Sequence, residues 1–129
     1  MDSRRCRVLI VEDDPRSARS MQLLLEISGF EVRVAYDGAA GLELLAPFEP
    51  EVILSDIDLD GSMNGLTLAR AVRSRGSRAL LIAISGHSEK HYGDGFDHHV
   101  RKPTRMDEVE RTIEDWLARR GAVDGAQSA

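Results

Sequence analysis

The sequence predicts an α/β domain: a five-stranded parallel sheet, doubly wound, with helices on both faces. Short apolar runs alternate along the chain with stretches whose apolar residues recur at helical spacing. Three of the runs, at 8–11, 52–54 and 79–84, are apolar without a break, the pattern of strands buried on both faces. The length of 129 residues suits one such domain, which can bury enough surface to fold without staples.

Each element follows in order. Residues 7–11 (RVLIV) read as a buried strand that ends abruptly at Glu12-Asp13-Asp14-Pro15, a turn into a proline-started helix. Met21, Leu24 and Leu25 continue that helix until Ser28-Gly29 closes it. Residues 30–35 (FEVRVA) alternate and read as a second strand. Asp37-Gly38 turns the chain, and Ala39, Leu42, Leu45 and Ala46 mark a second helix that Pro47 and Pro50 should stop. Residues 52–54 form the third strand, a third helix runs from about 65 to 75, and 79–84 is the fourth strand. A short fifth strand ends at Val100, and Met106, Val109, Ile113, Trp116 and Leu117 give the last amphipathic helix. The domain is expected to span 1–120, with 121–129 as a flexible C-terminal tail.

Composition narrows the function. Apolar residues make up 42% and charged residues 30%, ordinary for a soluble globular protein. The net charge of −5 argues against direct nucleic-acid binding, which needs a basic patch. The single cysteine, Cys6, cannot close an internal disulfide, so a reducing cytoplasm is the expected location. No apolar run reaches the roughly 18 residues that a membrane helix needs, so no membrane partner is expected.

The chemistry collects at one edge. In a parallel sheet the carboxyl ends of the strands lie along one rim, where ligands bind. This sequence places Glu12-Asp13, Asp56, Ser85 and Lys102 at successive strand ends. Any one of them alone would be ordinary, since a lone Asp at a strand end is most often a turn former or cap. Together they form a site. Carboxylates held within a few ångströms repel by roughly 1–4 kcal/mol per pair, a cost that a cation removes. Hard oxygen ligands suit Mg²⁺, while a hydroxyl and an ammonium suit phosphoryl oxygens.

Asp56, Asp58 and Asp60 offer three readings. Asp56-x-Asp58-x-Asp60-Gly61 opens like an EF-hand calcium loop, but Thr67 stands where the bidentate Glu should be and a strand precedes it. Asp56-Ile57-Asp58 resembles the nucleophile motif of the haloacid dehalogenase phosphatases, yet the acidic pair Glu12-Asp13 comes before it rather than after.

The third reading rests on four motifs in order: VLIVEDDP at 8–15, DIDLDGSMNG at 56–65, AISG at 83–86 and HHVRKP at 98–103. Together they resemble the receiver domain of two-component response regulators over roughly residues 6–120. The resemblance implies a flavodoxin-like strand order 2-1-3-4-5 and a signalling switch rather than a turnover enzyme. It makes Asp56 the phosphoacceptor, phosphorylated by a sensor histidine kinase or a histidine phosphotransfer protein. Mg²⁺ would be held by Asp13 directly, Glu12 through water, Asp56, and the backbone carbonyl of Asp58. Ser85 and Lys102 would engage the phosphoryl oxygens, with Ser85 and His99 as switch residues and Pro103 as a cis-proline that aims Lys102. The output would be a downstream protein target, with a homodimer left open.

The chain departs from that family in three places. The loop from Asp56 to Gly65 is one residue longer than the commonest form, and Gly86 stands where Ala is common. The segment between Ser85 and Lys102 is short, polar and glycine-containing, which predicts a shortened or disordered fourth helix. His87, His91, His98 and His99 match no zinc spacing. A receiver used only as a phosphorylation-independent interaction module is the competing expectation.

Overall fold

The computed structural model describes residues 5–59, 63–86 and 95–128, with side chains as far as Gly121. Five strands, β1 (Arg7–Val11), β2 (Glu31–Ala35), β3 (Val52–Asp56), β4 (Leu80–Ser85) and β5 (His98–Arg101), form one sheet. Their order is β2-β1-β3-β4-β5, and every pairing is parallel, as expected. The helices are α1 (Pro15–Ile27), α2 (Gly38–Glu43), α3 (Leu45–Phe48), α4 (Gly65–Ser74) and α5 (Met106–Ser128).

Side-chain alternation along the strands divides the core in two. Val8, Ile10, Val52, Leu54, Ile82 and Ile84 face one side, where Met21 and Leu25 of α1 and Val109 and Ile113 of α5 cover them. Leu9, Val11, Ile53, Leu81 and Ala83 face the other, against Leu42 of α2, Phe48 of α3 and Leu68 and Val72 of α4. Each large apolar side chain so buried contributes about 1.5–3 kcal/mol. β3 lies in the middle of the sheet, and all five of its residues are buried.

Local chemistry sets the helix ends. Asp14 caps α1 by accepting from the Arg16 N–H and the Ser17 hydroxyl, and Pro15 fills the first helical position. At the other end Gly29 takes φ +101°, and the N–H groups of Gly29 and Phe30 satisfy the carbonyls of Glu26 and Leu25. Leu24, expected on the apolar face, is instead 46% exposed, one position off the stripe set by Ala18, Met21 and Leu25.

Two boundaries differ from expectation. The second helix does not stop at Pro47. It breaks at Leu44 and restarts as α3, with Pro47 in the first turn, where the missing N–H costs no hydrogen bond. Glu49, at φ 52°, ends it. The last helix runs through Ser128 rather than giving way at residue 121, since Gly121 and Gly125 lower helix propensity without forbidding helix. The shortened fourth helix expected between Ser85 and Lys102 falls mainly on residues 87–94, which lie outside the described residues, as do His87 and His91.

Candidate functional site

Three strand ends build the site. β1 leads into Glu12 and Asp13, β3 finishes at Asp56, and β4 finishes at Ser85. Backbone bonds continue the sheet past these points: Glu12 N–H donates to Ala35, Ile57 N–H to Ile84, and Lys102 N–H to Ser85 at 2.8 Å. Residues from four segments are thereby held at one rim. Gly65 completes the floor, because a Cβ there would lie 2.5 Å from the Asp56 carbonyl oxygen, leaving glycine as the one residue that fits.

Glu12, Asp13 and Asp56 each offer a carboxylate oxygen, all within 4.8 Å of one another. Glu12 and Asp56 are 3% and 2% exposed, and Ser85 is as deeply buried. Asp56 Oδ1 accepts from the Asp58 N–H at 2.9 Å, while Oδ2 accepts from Lys102 Nζ at 2.8 Å. Asp58 therefore turns its amide toward Asp56 and leaves its carboxylate exposed. Of the two described alternating aspartates Asp56 enters the carboxylate cluster and Asp58 does not, while Asp60 lies outside the described residues.

The electrostatics reflect carboxylates crowded together in a buried setting. Burial, aided by Asp56 and Asp13, pushes the Glu12 carboxyl up to about 7, against the pull of the Asp14 N–H and Lys102. Burial also works against the Lys102 ammonium, but its bond to Asp56 and the fields of Asp56, Glu12 and Asp58 outweigh that and raise its pKa. One ammonium faces several carboxylates. The donor set, carboxylate oxygens in a crowded and anionic rim, fits a hard divalent cation such as Mg²⁺.

The other expected residues lie on β5 or just after β4 and β5. His99, on β5, is half-buried, with its ring 6.1 Å from Phe96 in an edge-on arrangement. Burial and His98 hold its pKa down. The Lys102–Pro103 peptide is cis. Gly86 is exposed and leaves open space, with a Cβ there reaching Lys102 Cδ only at 3.9 Å. The sequence reading missed Phe96, an isolated apolar ring in a polar segment with no periodic signal, and the amide contact from Asp58 to Asp56.

Comparison with known proteins agrees with this geometry. The family model described as "Response regulator receiver domain" matches residues 8–114. The cell cycle transcriptional regulator CtrA of Caulobacter vibrioides is 32% identical over 108 residues, covering 80% of this chain and 46% of that protein. The DNA-binding response regulator MtrA of Mycolicibacterium smegmatis is 31% identical over 123 residues, or 92% and 54%. The chain thus spans about half the length of these relatives. Their names give no support to the expectation of an output without nucleic acid. Among solved structures, the receiver domain of the TMAO respiratory response regulator TorR superposes with a TM-score of 0.79 at 31% identity, covering 88% of this chain and 97% of that one. A CheY-like receiver domain protein of Methanospirillum hungatei gives 0.84 at 24% identity, over 92% and 98%, a likeness of fold.

Proposed function

The chain belongs to the response regulator receiver domain family, the signalling modules of two-component systems, and on that premise we propose that Asp56 is its phosphoacceptor. The observation that carries the reading is the position of Asp56: a buried carboxylate at the end of the central strand, bonded to Lys102 and within 4.8 Å of Glu12 and Asp13.

Asp13, Glu12, Asp56 and the backbone carbonyl of Asp58 are the residues proposed to hold Mg²⁺. When bound, the ion supplies the positive charge that lets an anionic phosphoryl group approach an anionic carboxylate. The donor is a phosphohistidine on a sensor kinase or a phosphotransfer protein. Its phosphorus–nitrogen bond breaks as a phosphorus–oxygen bond forms to Asp56, and the departing imidazole takes up a proton. The Asp58 N–H holds Asp56 Oδ1 and so orients the nucleophile. Lys102 already rests on Oδ2 and follows the charge outward onto a phosphoryl oxygen. Ser85 donates its hydroxyl to another oxygen. The movement of Ser85, with His99 behind it on β5, biases the surface between two states.

Among the described residues no helix is long and apolar enough to cross a membrane.

Intact mass spectrometry after incubation with Mg²⁺ and acetyl phosphate tests the reading. One phosphoryl adduct is expected in the parent and none in Asp56→Asn or in EDTA. Failure to form an adduct with acetyl phosphate and with a panel of phosphorylated kinases would leave a receiver used for contact alone. Steady release of phosphate from unrelated esters would instead restore the phosphatase.

A further inference from the structure

A groove of about 820 Å³ lies at the opposite edge of the sheet from Asp56, where the strands begin. β1 and β3 are five residues long, so the two edges stand roughly 16 Å apart. Arg7, Arg75, Arg78 and Arg120 line the groove together with Glu49 and Glu51. Four guanidiniums against two carboxylates concentrate positive charge on a chain whose net charge is −5.

The arginines differ in how far they are engaged. Glu51 is shared by Arg7 at 3.6 Å and Arg120 at 3.4 Å, and Arg7 Nε also donates to the Glu49 carbonyl. Arg75 donates to the Leu42 carbonyl at 3.4 Å, which leaves most of its five donors unused among the described residues. Arg78 is exposed. Guanidinium groups in this condition favour carboxylate or phosphate oxygens. Leu45, Pro50 and Trp116 supply apolar wall between them, with Arg120 stacked 4.6 Å over the Trp116 ring.

We infer that this groove docks an acidic segment of a partner protein, an extended stretch in which carboxylates alternate with apolar side chains. A compact polyanion would meet Glu49 and Glu51 along with the arginines. An extended chain sets same-side residues about 7 Å apart, so its carboxylates address arginines singly while the intervening side chains meet Trp116 and Pro50. The docking is separate from the phosphoacceptor edge and needs no phosphoryl group.

The protein's single tryptophan, Trp116, lies in the groove and reports its occupancy. Unphosphorylated protein is titrated with a hexapeptide alternating glutamate and leucine, with the lysine–leucine counterpart, and with inorganic pyrophosphate, following Trp116 emission. A saturable change is expected for the glutamate peptide alone. Affinity should fall at least tenfold in Arg75→Glu/Arg78→Glu, and also on raising salt from about 0.05 M to about 0.5 M. Arg78→Glu by itself, an exposed change, should weaken binding while leaving the melting temperature and labelling by acetyl phosphate unchanged. No saturable response, an equal response to the lysine peptide, saturation by pyrophosphate instead, or undiminished binding in both variants would overturn the inference. None of these outcomes bears on Asp56.

Discussion

At the scale of single residues, the convergence of the carboxylates on one rim was readable because each of these side chains ends a strand. Glu12, Asp13, Asp56 and Ser85 follow apolar runs, and a parallel sheet brings such ends together whatever lies between them. Gly86 allows a sharp test at this scale. A methyl group there would meet Lys102 Cδ at 3.9 Å, an ordinary contact, so Gly86→Ala should fold as the parent does. The methyl should narrow the approach to the acyl phosphate and slow its hydrolysis by roughly threefold, a change of under 1 kcal/mol in barrier. Phosphate release from the isolated phosphoprotein measures this, and an unchanged or faster rate would remove Gly86 from the argument. Other residue-scale contacts left no trace in the sequence. The expectation for Asp58 concerned its backbone carbonyl, and the contact of its backbone N–H with Asp56 was not foreseen, because backbone direction is not legible from residue type.

At the scale of elements, apolar periodicity located every strand and misjudged two helix ends. Pro47 was read as a stop, but a proline in a first turn is as compatible with a restart as with an end, and only the break at Leu44 decides between them. Long-range polar clamps were invisible for a related reason: no period links their members. Arg73, at the end of α4, donates to the carbonyls of Ser77 and Ala79 and to Asp97 at 2.7 Å. The same Asp97 oxygen accepts from the Leu81 N–H, and the Asp97 N–H donates to the Leu81 carbonyl. One arginine thus ties a helix, a loop and the entry to β5. Its ion pair is partly exposed and contributes little by charge alone, so the two carbonyl bonds dominate. Arg73→Leu should cost about 1–2 kcal/mol in urea unfolding. A loss below a few tenths would show that the clamp is incidental.

At the scale of the whole molecule, stability should carry the signature of Glu12. Its folded-state pKa of about 7 stands above the ordinary 4.5. Between those values the folded protein holds a proton that the unfolded chain has released, so raising the pH favours unfolding. The stabilisation from this group is complete below about 4.5 and lost as pH passes 7, amounting to a few kcal/mol at most. Asp14, which caps α1, and Asp107, bonded to Arg105, have lowered pKa values and act in the opposite sense, only in more acidic solution. Metal-free protein in EDTA should therefore be more stable to urea at pH 5.5 than at pH 7.5, and Glu12→Gln should flatten the difference. A flat profile in the parent would mean that the carboxylates share their charge more easily than their burial suggests. The order of the strands has a mechanical consequence as well. Asp56 is mounted on the central strand, gripped by a neighbour on each side and buried along its whole length, whereas Lys102 follows a four-residue edge strand with a neighbour on one side only. One jaw of this vice is fixed to the bench on both sides and the other on one side only. Under the proposed function, strain from a phosphoryl group on Asp56 would fall on the rim, where yielding costs least, and would spare the frame that holds Asp56.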